Sequence, residues 1–373
     1  FSYIVTLNRF PQKTIIYDKT GKEVKVLLEA PLEEVRPKGF MSTSKGMRSI
    51  RWRADKPATV VYVQALDEGD PAINVDFRDE VFTLEAPFTG QPKSILKTIQ
   101  RFGGITWGND DMAIAQDRWW NTRNSKTYLF NPSDPSAKPE IIFDLNYNDR
   151  YNNPGSFLTK KNELGEYTLV IDKDKMYLTG PGYSPEGIRP FLDEWSLKTK
   201  DTKRLWRADG KETYERIIKV MDAKNGELLT RVEASTVFPN YFIRNIKKKI
   251  APQQITFFEN PFKSMEGVSK EVINYKRDDG IELSGTLYLP AGYDKEKGVK
   301  LPMILWAYPR EFKDASMASQ VTSSPHSFTS PSYGSPVFWV TQGYAILDNA
   351  AFPIIGEDNK EPNDSFRDQL VAN

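Results

Sequence analysis

From residue 1 to about 250, hydrophobic and polar positions alternate in short runs that turn residues interrupt. Thr14-Ile15-Ile16-Tyr17-Asp18 is β-branched and aromatic, Lys19-Thr20-Gly21-Lys22 is a turn, and Val24-Lys25-Val26-Leu27-Leu28 returns, so a hairpin is predicted. The same grammar recurs at Thr127–Phe130 with Glu140–Asp144, and at Leu192–Leu197 with Lys203–Trp206. Two further pairs open on a tryptophan strand: Ile50-Arg51-Trp52-Arg53 before Thr59–Gln64, and Ile105-Thr106-Trp107-Gly108 before Met112–Gln116. A repeat of roughly 40–55 residues with about four strands per unit is the signature of radial blades, each of which must stack on neighbours to bury its faces. A β-sandwich also gives short strands and turns. The recurrence of Trp52 and Trp107 favours a partial propeller over residues 1–262, with room for roughly four or five blades.

Near residue 250 the pattern changes. Ile255-Thr256-Phe257-Phe258 and Asn260-Pro261-Phe262 close the repetitive region. Lys270–Tyr275, the turn Arg277-Asp278-Asp279-Gly280 and Ile281–Pro290 then make an alternating hairpin. Leu301–Tyr308 is almost continuously apolar, which predicts a strand covered on both faces. Val337–Gln342 reads as a helix, Gly343 as its C′ residue, and Tyr344–Asp348 as another buried strand. Strand, helix, strand is the opening of a parallel α/β sheet, assigned to residues 263–373.

Composition narrows the partners. Lys and Arg total 51 against 50 for Asp and Glu, a formal charge of +1, which argues against nucleic-acid or anionic-membrane binding. The one basic run, Lys247-Lys248-Lys249, reads as a solvated turn. With no cysteine, disulfides, thiolate metal sites and a cysteine nucleophile are excluded. No apolar run approaches the ~20 residues that span a bilayer. No metal or cofactor is expected: Glu357, Asp358, Glu361 and Asp364 match no cation loop and read as a solvated cluster. Trp119-Trp120 suits an inter-blade core better than a sugar platform. Phe1–Val5 reads as a strand entered partway and Arg367–Asn373 as a helix without a terminator, so the chain is expected to be the middle of a longer protein.

Taken in order, blades, the junction Gln254–Pro261, the hairpin ending Leu287-Tyr288-Leu289-Pro290 and an α/β sheet resemble the prolyl oligopeptidase family of serine peptidases. Two stretches resemble its glutamyl endopeptidases: Trp306–Lys313 with Gln320-Val321 and Ser324-Pro325, and Pro353–Glu357 with Asn363-Asp364 and Gln369–Ala372. Ile105–Gly108, Trp119–Arg123 and Pro154-Gly155-Ser156 match in the blades. The resemblance implies a propeller capping an α/β-hydrolase that cleaves peptides after glutamate, with an organellar location in plants and export in a bacterium.

It also implies a Ser-Asp-His triad, yet the sequence has no Gly-x-Ser-x-Gly, and its one histidine, His326, falls in a loop upstream of where the nucleophile would come. What the family pattern does assign here is the oxyanion donor: Tyr308, directly after the apolar strand. Glutamate preference needs a cation, since a buried unpaired carboxylate is costly and guanidinium offers a matched fork. Arg310 and Lys313 are candidates, and Arg118 and Arg123 of the blades are others. Rival readings are a non-catalytic propeller that binds peptide or glycan, and a dipeptidyl or acylaminoacyl peptidase of the same clan.

Overall fold

The computed structural model describes residues 5–248, 250–356 and 360–373. After an N-terminal hairpin (Gln12–Tyr17 with Glu23–Ala30), four antiparallel four-stranded sheets follow one another along the chain. The first comprises Arg48–Trp52, Thr59–Ala65, Asp79–Glu85 and Lys93–Thr98, and the second Arg101–Asn109, Met112–Trp119, Asn124–Phe130 and Glu140–Asn146. The third is built from Ser156–Phe157, Lys175–Gly180, Phe191–Ser196 and Thr202–Arg207, and the fourth from Tyr214–Asp222, Glu227–Ala234, Val237–Asn245 and Gln253–Gln254. Each pairs its strands in chain order, which is the blade meander of a partial β-propeller. The predicted hairpins fall on these strands because each apolar run alternates at the sheet period and ends on turn residues.

A fifth, mixed sheet follows, in the order Ser269–Lys276, Glu282–Leu289, Ala345–Ala350, Met303–Ala307. Its last two strands run parallel, the start of an α/β sheet. The change of sheet type thus falls between Gln254 and Ser269. The compact units divide elsewhere. One runs to Asn146 and takes back Thr159–Ile171, while the other holds Tyr147–Leu158 and Asp172–Asn373.

In the first unit the two sheets share one core of Val61, Val63, Val81 and Leu96 against Trp107, Ala113, Tyr128 and Phe130. Trp107 is buried, whereas its counterpart Trp52 is about half exposed (53%), so the tryptophan recurrence marks equivalent strands but not equivalent burial. In the second unit the mixed sheet packs Tyr288 and Ile346 against Val337 and Val340.

Two expectations need correction. The Met303–Ala307 strand is not covered on both faces: Met303, Leu305 and Trp306 are exposed, and only Ile304 packs into the cluster with Val337 and Val340. The Pro336–Gln342 segment is a 3-10 helix rather than an α-helix. Ser335 caps it, and Gly343 ends it in the left-handed region (φ 87°), where a side chain would be strained. Residues 1–4, Lys249, Glu357 and Asp358 lie outside the described residues. Lys247 and Lys248 are exposed in a bend, as a solvated turn requires, and Asp364 is exposed.

Candidate functional site

Two consecutive parallel pairings build the site. Met303–Ala307 pairs with Ala345–Ala350, and after Tyr308-Pro309 the short strand Arg310–Phe312 pairs with Pro353–Ile355. Between the two pairings the register slips: Leu305 faces Leu347 but Ala307 faces Ala350. The extra residue is a bulge, and within it Asn349 takes a positive φ of 49°, one of the few left-handed conformations asparagine tolerates. Gly285 lets the neighbouring strand approach this point, because a Cβ there would lie 2.7 Å from Leu347 Cδ1. The Ala351 amide donates to the Ser284 carbonyl at 2.7 Å and fixes the end of the bulged strand.

These bends open a cavity of about 260 Å³ whose walls include Trp306, Tyr308, Arg310, Glu311, Asn349 and Arg150. Tyr308 is 79% exposed and its hydroxyl has no hydrogen-bond partner among the described residues. Arg310 is exposed and makes no ion pair among them. Lys313 is different: its ammonium sits 3.4 Å from Glu361 Oε1, and it does not line the cavity. Of the three residues singled out from sequence, Tyr308 and Arg310 therefore share one cavity and Lys313 is engaged elsewhere.

The blade arginines separate as well. Arg123 is 1% exposed, stacks on Trp120 at 4.1 Å and donates to the Trp120 carbonyl, so it is structural. Arg118 is exposed in the first unit. Arg78 covers Trp119 at 4.4 Å, and Phe40 stacks on Trp120 at 4.5 Å, which leaves neither indole as a bare sugar platform. His326 is half-buried in a loop, its backbone amide bonded to Ser324 Oγ at 3.2 Å. Arg150, separated from Tyr308 by more than 150 residues of sequence, carries no motif by which sequence reasoning finds it. Its clue lies in Gln320, whose side chain bonds the Arg150 amide and Asp149.

No family model matches the chain. Over its whole length, however, the chain is 36% identical to a rice (Oryza sativa subsp. japonica) protein named "Probable glutamyl endopeptidase, chloroplastic", across 387 residues. It is 37% identical to the Arabidopsis thaliana protein of the same name, across 388 residues. It spans 41% and 40% of the length of these curated relatives. A solved acylaminoacyl peptidase aligns with 97% of this chain and 45% of its own at a TM-score of 0.47 and 13% identity, too low a likeness to carry weight. Blades that lead into a mixed α/β sheet are the architecture that the sequence resemblance implies. In sequence the chain is similar, over its whole length, to the matching 40–41% of proteins named as probable glutamyl endopeptidases.

Proposed function

We propose that the protein to which these residues belong is a serine peptidase that cleaves peptides on the carboxyl side of glutamate, and that this chain supplies blades and one wall of the active site. The observation that carries the reading is Tyr308: exposed, at the end of the strand that opens the α/β sheet, lining one cavity with Arg310, and like it without a side-chain partner among the described residues. A phenol that donates to an oxyanion stabilises charge that develops only in the transition state. Arg310 meets the substrate carboxylate. Identity of 36–37% along this whole chain to 40–41% of proteins named probable glutamyl endopeptidase supports the substrate class.

The test uses the full-length protein and a peptide with a single glutamate. Tyr308→Phe is expected to lower kcat by roughly 100-fold with little change in KM. Unchanged kcat would remove Tyr308 from the oxyanion site. A full-length protein that hydrolyses no peptide and takes no fluorophosphonate label would favour the non-catalytic binding protein instead. Because the 373 residues hold no Gly-x-Ser-x-Gly, they alone are expected to stay unlabelled. On the parallel of relatives named as chloroplastic, we place the protein outside the cytosol, by export in a bacterial cell. Activity found in the cytosolic fraction would overturn that placement.

A further inference from the structure

Resting on the glutamate-directed reading, we infer that Arg150 is a second specificity-determining cation of the same cavity, held there by a clasp between residues 149–151 and 320–321. Every strand of that clasp is visible. The amides of Arg150 and Tyr151 both donate to Gln320 Oε1, at 2.6 and 3.3 Å. Gln320 Nε2 donates in return to Asp149 Oδ1 at 2.8 Å. The Tyr151 hydroxyl accepts from the amide of buried Val321 at 2.8 Å. A second bond to Asp149, from Asn152 Nδ2 at 2.6 Å, occupies its other oxygen.

The consequence is a backbone fixed on both sides of Arg150 and a side chain with no hydrogen bond or ion pair among the described residues. The carboxylate next to it in sequence, Asp149, is already spoken for by Gln320 and Asn152. Glu311 also lines the cavity but makes no ion pair within 4.0 Å with Arg150 or Arg310 among the described residues. Two arginines without an ion pair among the described residues thus line a space of about 260 Å³ together with the exposed Tyr308. Their chemistry suits a ligand with a carboxylate side chain, since each guanidinium offers a planar pair of donors and neither has a carboxylate of its own to release first. Gln320 acts through Arg150 and is a positioning residue.

In the full-length protein, two peptides that differ only by glutamate or its neutral isostere glutamine at the cleaved residue separate the possibilities. Arg150→Ala is expected to lower the Glu:Gln ratio of kcat/KM by roughly 10-fold or more while the glutamine peptide stays within about twofold of wild type. Gln320→Ala is expected to raise KM for the glutamate peptide with kcat nearly unchanged, because only the placement of Arg150 loosens. An unchanged ratio in Arg150→Ala, with Arg310→Ala collapsing it, overturns this inference and leaves the glutamate reading intact. A loss shared equally by both peptides also overturns it, since that is the mark of a structural role. A wild-type protein that cuts the two peptides alike overturns the glutamate reading, and the role of Arg150 falls with it.

Discussion

Lys270 shows how much one buried charge can shape the molecule. It lies opposite Tyr288 in the hairpin register, and its Nζ donates to the Ser327 carbonyl and hydroxyl, both at 2.7 Å. Burial pushes its ammonium down to about 8, and the nearby carboxylates Glu233 and Asp348 offset only part of that. The same burial pushes the Asp348 carboxyl up. A lysine whose folded pKa lies below its unfolded value is bound by more protons when unfolded, so stability rises with pH between about 8 and 10.5. The shift corresponds to about 3 kcal/mol across that window. Lys270→Met is expected to abolish this rise. Urea unfolding of both proteins at pH 7 and at pH 10 measures it, and an equal pH gain in the variant would refute the assignment. Nothing in the run Lys270–Tyr275 announces such burial, because alternation names the strand but not what covers its polar face.

At the scale of elements, the first two sheets are joined by charge as well as by apolar contact. Arg101, at the start of the second sheet, donates from Nη1 and Nη2 to Asp67 at 3.0 and 2.7 Å and from Nη1 to Asp79 at 2.8 Å. Both aspartates are fully buried; Arg78 shares Asp67 Oδ2 with Arg101, and Arg48 and the Phe102 amide hold Asp79 Oδ2. Arg101→Ala strands two buried carboxylates and is expected to cost about 3–5 kcal/mol. Denaturant titration reads the change, and a loss below about 1 kcal/mol would mean that Arg78 and Arg48 suffice. The strands that carry this network were legible in the sequence, since hairpins with their turn chemistry are local patterns. What was not legible was anything set by neighbours. Leu301–Tyr308 has the composition of a covered strand, yet Leu305 and Trp306 are exposed, because what packs on a sheet, not the strand's own composition, decides its coverage. Tyr308 and Arg310 could be named because they lie within a few residues of one strand end. Arg150 could not, because hydrogen bonds to Gln320 across 170 residues of sequence place it.

For the whole molecule, charge balance decides what kind of electrostatics can operate. With 51 basic and 50 acidic side chains, these residues generate little net field, so any preference for an acidic substrate must come from a local arrangement. Exposed guanidiniums at a cavity mouth are screened within a Debye length of about 8 Å at physiological salt. In the full-length protein, raising NaCl from about 0.05 to 0.5 M is therefore expected to lower the Glu:Gln ratio of kcat/KM several-fold, while the glutamine peptide alone hardly responds. In an Arg150→Ala/Arg310→Ala double variant the ratio should become insensitive to salt. Should the salt slope survive both substitutions, the field that selects acidic side chains would arise from other parts of the protein, and these two arginines would be ordinary surface charges.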